Sequence, residues 1–152
     1  MLHWTSDVEH WGLGSVWYNN SMNFLLYIYT FLSIVFIDSI WLFSTGSEYK
    51  KWLSHLFADK VSFIPVVLFY FLYSFGVVYF VTGPSIQNNY SNLKIFFIGA
   101  FLGLIAYSAY DLTNQATLRD WPVVVTVIDM AWGGVVTGLG AMVAVNLFRY
   151  FH

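Results

Sequence analysis

The chain has 152 residues, of which 59% are apolar, 22% aromatic and only 9% charged, and its net charge is −2. In soluble domains about a quarter of all residues are charged, so this composition excludes an ordinary soluble domain and predicts a membrane protein. The charge balance argues against nucleic acid as a partner. The lack of cysteine excludes disulfides, thiolate metal sites and thiol catalysis.

The first 22 residues are polar but rich in tryptophan. Ser6 and Glu9 have the spacing of a capping box, and Trp4 and Trp11 fall on one face of the helix that this box would start. A helix of this kind lies in the membrane interface rather than across it. We therefore predict an N-terminal interfacial segment over residues 1–22.

Four apolar runs follow, and each is long enough to cross a hydrocarbon layer of about 30 Å at a rise of about 1.5 Å per residue. They lie near residues 23–44, 61–82, 93–113 and 122–148. The last run opens with Pro122, which suits the first turn of a helix. The sequence thus predicts an all-α, polytopic membrane domain over 23–148, with four transmembrane helices in an antiparallel bundle that contacts the lipid bilayer.

The connections between these runs differ in character. The segment 45–60 has the pattern of a second interfacial helix, and 83–92 reads as a turn-rich loop opened by Gly83 and Pro84. The link 114–121 is short. Small residues recur along the last run, which predicts a central position for that helix.

Lysine and arginine are divided unequally between the two sides of the predicted domain. Connections 45–60 and 114–121 share one side and together carry Lys50, Lys51, Lys60 and Arg119, whereas the other side carries Lys94 and Arg149. Positive residues favour the cytoplasmic side. We therefore expect a multi-pass protein of the bacterial inner membrane with both termini in the periplasm.

Three carboxylates, Asp38, Asp111 and Asp129, lie inside the predicted spans, and no lysine or arginine in the surrounding stretches can pair with them. An acid deep in a span costs roughly 2.5–3.5 kcal/mol even on lenient insertion scales, so it usually marks a working site. All three lie toward the same side of the membrane. The sequence therefore predicts a functional site in one leaflet.

Aromatic and polar side chains share helical faces with these acids. Asp38 and Trp41 form a D-x-x-W pattern that Asp129 and Trp132 repeat, and Tyr107 shares a face of its span with the residues around Asp111. The predicted ligand-binding site consists of Asp38, Trp41, Tyr70, Tyr73, Tyr107, Tyr110, Asp111, Asn114, Thr126, Asp129 and Trp132.

Without a basic partner, the free-energy cost of burying each acid is lowered if the acid holds a proton or faces a bound cation or ligand amine. Such acids suit proton relay, cation capture helped by the indole face of Trp41 or Trp132, or acid–base work on an amphiphile. The alternative is that they only hydrogen-bond the helices together. The histidines lie outside the spans without metal-ligand spacing, so no metal site is predicted and no particular cofactor is indicated.

The segment YDLTNQATLRDWPVVVTVIDMAWGG resembles the signature of a family of small bacterial membrane proteins, domain-of-unknown-function family 2177. DSIWL in the first span and LFYFLYSFGVVYF in the second are similar to the same family, over roughly residues 23–148. The resemblance implies a polytopic inner-membrane protein and brings no established activity. The motif residues that carry over are Asp38, Trp41, Tyr110, Asp111, Asn114, Trp121, Pro122, Asp129 and Trp132.

Three functions fit these observations. The first, which the sequence favours, is binding or transport of a small cationic or amphiphilic ligand or of protons, which for four spans predicts a homo-oligomer or a ligand held in the bundle. The second is a membrane enzyme that uses the acids on a lipid-like substrate. The third is an accessory subunit of a larger membrane complex, with the small-residue faces of the third and fourth spans as contact surfaces.

Overall fold

Five α-helices and one π-helical turn follow one another in the computed structural model, which describes residues 20–58 and 60–152 and contains no strand within them. The helices are α1 (Asn20–Leu53), α2 (Phe63–Val77), α3 (Gly83–Gln87), α4 (Asn92–Thr117) and α5 (Val123–Phe151), and the π-helical turn is Val78–Thr82. The predicted interfacial segment lies outside the described residues, apart from positions 20–22, which begin α1.

Four helical stretches in this described part of the chain are long and apolar enough to cross a membrane. They are Asn23–Leu53, Phe63–Gln87, Asn92–Thr117 and Val123–Phe151. The second stretch combines α2, the π-helical turn and α3 into one continuous helical rod. The predicted all-α membrane protein with four transmembrane helices is thereby confirmed.

The first helix is longer than predicted. It runs unbroken for 34 residues, or about 51 Å at the helical rise, so it exceeds a hydrocarbon layer of about 30 Å. The prediction of a separate interfacial helix over 45–60 is wrong, because the polar stretch after Phe43 stays helical to Leu53. A surface ion pair of 2.7 Å between Lys51 and Glu48, one turn apart, accompanies this extension.

The second span continues through Pro84, so the prediction of a loop over 83–92 is wrong for its first half. Proline lacks an N–H group, and its ring clashes with the carbonyl four residues earlier. The π-helical turn just before it widens the backbone, and the Gly83 N–H bonds to the Val78 carbonyl in this wider pattern. The helix ends only at Gln87.

Helix α5 occupies the centre of the domain, as its small residues predicted. Gly103 of α4 lies against the backbone of Gly133, and a Cβ built on Gly99 would stand 3.0 Å from the Gly138 Cα. These two contacts bring the helix axes close together. Because residue numbers fall on α5 as they rise on α4, the two helices run in opposite directions.

Helix α1 packs on another side of α5, also with opposite direction. Ile34 lies against Gly140, and farther along α1 Asp38 meets Trp132. Ile34, Val77, Val136 and neighbouring apolar side chains form the buried core between α1, α2 and α5. The antiparallel arrangement of all four spans together stays a prediction.

Candidate functional site

The carboxylate of Asp38 joins three helices. It is almost fully buried on α1 and accepts two hydrogen bonds, from the Trp132 indole N–H to Oδ1 at 2.7 Å and from the Tyr70 hydroxyl to Oδ2 at 2.6 Å. Trp132 lies on α5 and Tyr70 on α2, and all three residues belong to the predicted site. Both oxygens of Asp38 are thus satisfied by neutral donors.

Two indole rings stack beside this carboxylate. Trp41 follows Asp38 by three residues, which places it on the same side of α1. Its ring lies 4.3 Å from the Trp132 ring, centroid to centroid, at an interplanar angle of 10°. The repeated D-x-x-W pattern therefore produces one aromatic wall shared by α1 and α5.

The second carboxylate, Asp129 of α5, accepts a hydrogen bond at Oδ1 from the hydroxyl of Tyr49. Tyr49 lies near the end of α1, about three helical turns beyond Asp38 and on the same face. Only one of the two Asp129 oxygens has a hydrogen-bond partner within the described residues. Tyr49 was not among the predicted site residues.

A cavity of about 240 Å³ lies between these groups. It is lined by Asp38, Trp41, Leu42, Tyr49 and Leu53 of α1, Tyr107 and Tyr110 of α4, Trp121 of the α4–α5 link, and Asp129 and Trp132 of α5. Both carboxylates face this cavity, and the described side chains that line it include no lysine, arginine or histidine. The cavity therefore combines two acids with aromatic walls.

Several predicted residues lie behind the cavity wall and support it. The Tyr73 hydroxyl lies 2.6 Å from Thr137 Oγ1, and because the Thr137 hydroxyl already donates to the Gly133 carbonyl, Tyr73 is the donor. Thr126 is buried and accepts a 3.0 Å hydrogen bond from the indole N–H of Trp121. The bond to Thr126 fixes Trp121, which lines the cavity, and the bond between Tyr73 and Thr137 joins α2 to α5 behind the cavity wall.

The third carboxylate, Asp111 of α4, does not line the cavity. It is completely buried, whereas the preceding Tyr110 is 61% exposed and forms part of the cavity edge. Neither Asp111 oxygen has a hydrogen-bond partner in the described part of the chain. Asn114, one turn farther along, also lies outside the lining, so the face predicted from Tyr107 to Asn114 is divided in the structure.

The lining residues absent from the predicted ligand-binding site are Leu42, Tyr49, Leu53 and Trp121, of which Trp121 was named only as a residue of the family motif. Leu42, Tyr49 and Leu53 lie on α1, and their helical phase relative to Asp38 was the available signal. Interpreting 45–60 as a separate helix concealed that phase for Tyr49 and Leu53. Within the described residues no group of three or more histidine or acidic side chains could hold a metal ion.

A family model described as "Predicted membrane protein (DUF2177)" matches residues 23–146. The chain belongs to this family. The expectation raised by the YDLTN and DSIWL segments is thereby confirmed. Comparisons with the curated proteins and with the solved structures gave no match.

The match takes in every helix that lines the cavity of this DUF2177 protein. The description of the family supplies the membrane class and no activity, so any role of the cavity has to be argued from its chemistry. Two acids, two stacked indoles and three tyrosines form a surface suited to a positively charged group attached to an apolar body.

Proposed function

We propose that this DUF2177 protein binds a small organic cation with an apolar portion in the cavity between α1, α4 and α5. The observation that carries the proposal is that Asp38 and Asp129, from different helices, face one aromatic cavity, and that its lining within residues 20–58 and 60–152 contains no basic side chain. Acids inside a membrane domain pair with one another, with a cation or with a proton. A cationic ligand supplies the missing charge.

The hydrogen bonds indicate which acid contacts the cation directly. Both oxygens of Asp38 accept bonds, from Trp132 and Tyr70, whereas one oxygen of Asp129 has no such partner in the described part of the chain. An ammonium group is therefore bound most directly by Asp129. Asp38 adds negative potential, and the indole face of Trp41 or Trp132 adds a cation–π contact of about 0.5–2 kcal/mol.

The size of the cavity limits the ligand. Sites for drug-sized molecules usually measure roughly 300–1,000 Å³, so about 240 Å³ suits an amine with one ring or a short chain. Leu42 and Tyr110 belong to the lining and are also more than half exposed on the outside of the bundle. An amphiphile can therefore reach the cavity from the lipid.

The experiment is a binding titration of the purified protein in lipid nanodiscs with phenethylammonium, and with 2-phenylethanol as the neutral analogue of similar shape. We expect the ammonium to bind at least about tenfold more tightly than the alcohol, a difference of about 1.4 kcal/mol. Asp129→Asn should remove most of that preference, and Asp38→Asn should reduce it.

The matched control is Asp120→Asn, the same chemical change at an exposed position in the α4–α5 link. Asp120 has a φ of 56°, a conformation that asparagine tolerates, so the variant should fold and bind as the wild type does. Equal affinity for the ammonium and the alcohol would contradict the proposal. So would unchanged ammonium binding in Asp38→Asn and Asp129→Asn variants that melt normally.

We further propose that the cavity lies toward the cytoplasmic leaflet of a bacterial inner membrane, with the termini in the periplasm. The support is the positive charge on the side of the α1–α2 and α4–α5 connections, which is also the side of Tyr49 and Trp121. Uptake of phenethylammonium into proteoliposomes, lost in Asp129→Asn, would extend the proposal from binding to transport.

One observation also favours the enzyme hypothesis. Catalysis by two carboxyl groups requires both to face a common reacting atom, and Asp38 and Asp129 face the same cavity. An enzyme would convert its ligand to a product, whereas a binding protein would release it unchanged. Conversion of a lipid-like amine or ester by the purified protein, abolished by either asparagine variant, would favour the enzyme over the binding protein.

A further inference from the structure

Asp111 is the most anomalous charged residue of the described structure. None of its surface is exposed, and neither carboxylate oxygen has a hydrogen-bond partner among the described residues. Within residues 20–58 and 60–152 the ion pair found joins Lys51 and Glu48, both on the surface. No basic side chain of this part of the chain therefore compensates the carboxylate.

A structural tie between helices does not explain this residue. Buried polar groups that hold helices together do so by making hydrogen bonds, as Asp38 does with Tyr70 and Trp132. Asp111 makes none within the described chain, so it cannot stabilise the packing of α4 against α5 in that way. A buried polar group without partners costs free energy, so Asp111 does not contribute to stability through hydrogen bonds to the described residues.

The surroundings of Asp111 oppose its ionisation. A charged carboxylate in a site of low dielectric constant loses its hydration without compensation. Among the described residues, the titratable groups that interact with it are the Asp129 carboxyl from α5 and, from α1, the Tyr49 hydroxyl. The first is acidic and the second is a neutral phenol, so neither offers a positive charge.

We propose that Asp111 is a proton-binding site inside the membrane domain, separate from the cavity, and that Asp129 is the group through which its proton is exchanged. The carboxyl group of Asp111 holds the proton while it is buried. Asp129 interacts electrostatically with Asp111 and also lines the cavity, so it is the acid through which Asp111 would exchange a proton with the accessible surface. This proposal does not depend on which ligand the cavity binds.

The test uses dicyclohexylcarbodiimide, an apolar reagent that enters membranes and reacts with protonated carboxyl groups. The acid adds across one C=N bond: its oxygen bonds to the central carbon and its proton goes to a nitrogen. A shift of the acyl group from oxygen to nitrogen then gives a stable N-acylurea. The modified residue can be located by peptide mass spectrometry of the reconstituted wild-type protein without any ligand present.

We expect modification at Asp111 in mildly acidic buffer, at least about tenfold more than at Asp38, both of whose oxygens accept hydrogen bonds. Once the acid ionises, the rate should fall about tenfold for each further pH unit, because the protonated fraction falls by that factor. Exposed Asp120 and Glu48 provide internal controls that this apolar reagent should leave largely unmodified.

A second measurement does not depend on the reagent. Infrared spectra of the wild-type protein should contain a carboxylic-acid C=O band that is missing in Asp111→Asn and still present in Asp120→Asn. Absence of the adduct at Asp111 at every pH, or an adduct formed equally in acidic and alkaline buffer, would overturn the proposal. So would an infrared band that persists in Asp111→Asn.

Discussion

The three acids of the membrane domain meet their surroundings in different ways. Asp38 has a donor on each oxygen, Asp129 has one on a single oxygen, and Asp111 has none within the described residues. The number of hydrogen bonds therefore distinguishes three acids that the sequence analysis placed in a single site. Asp38 orders the aromatic wall, Asp129 presents a carboxylate to the cavity, and Asp111 is confined away from it.

The bond from Trp132 to Asp38 should be measurable as stability. Trp132→Phe removes the indole donor and leaves Oδ1 of a buried carboxylate without its partner, which typically costs about 1–3 kcal/mol. We expect a clear loss in thermal or denaturant unfolding of the protein in detergent. Trp52→Phe is the control, because Trp52 makes an edge contact with Tyr49 outside the Asp38 cluster. Equal losses in both variants would contradict this assignment.

At this scale the sequence predicted neighbours within a helix better than neighbours between helices. The pairs Asp38–Trp41 and Asp129–Trp132 follow from helical spacing, and both reach the cavity. Asp111 shares a helix face with Tyr107 by spacing, yet the close approach of α4 to α5 buries it away from the lining. That approach depends on glycine contacts between helices, which no spacing within one helix reveals.

Helices α4 and α5 form the tightest contact of the fold because glycines face each other along it. A Cβ at Gly103 would collide with the Gly133 carbonyl, and a Cβ at Gly138 would come within 2.8 Å of Phe96. These small-residue faces, which the accessory-subunit hypothesis assigned to an external partner, are occupied within the chain. An oligomer or complex would have to use other surfaces.

The glycine contact gives a sharp prediction. Gly103→Ala should force the two helices apart and destabilise the protein by roughly 1–3 kcal/mol, the usual range for overpacking. Gly76→Ala is the matched control, because nothing lies within 4 Å of its added methyl group and alanine favours the helix. We expect Gly76→Ala to melt at the wild-type temperature or above. A similar loss in both variants would rule out the packing explanation.

Hydropathy predicted the number of helices but not all their ends. The four apolar runs correspond to the four candidate spans, because apolar length is the dominant signal for a membrane helix. The end of α1 and the passage through Pro84 were missed. In the first case polar residues continue a helix outside the hydrocarbon layer, and in the second the π-helical turn accommodates proline. Both outcomes depend on packing against other helices.

For the whole molecule, the unequal distribution of positive charge predicts an orientation that can be measured. Because the chain contains no cysteine, a single introduced thiol is unique. A membrane-impermeant maleimide should label Asn88→Cys in intact cells, whereas Ser54→Cys should react only after the membrane is permeabilised. Asn88 follows α3 and Ser54 follows α1, so the two report on opposite sides. The reverse pattern would invert the proposed orientation.

The length of α1, which extends beyond the hydrocarbon layer, affects how a ligand reaches the cavity. Its final turns cover the cavity, and in the described structure their polar contact with another helix is the bond from Tyr49 to Asp129. Just before them, Ser44 and Thr45 bond back to the carbonyls of Ile40 and Trp41, and such bonds often bend helices. Gly46 follows with no side chain to pack. A cation that displaces the Tyr49 hydroxyl from Asp129 would therefore release the end of α1 from α5 and open the cavity. The glycine contacts between α4 and α5 would stay in place.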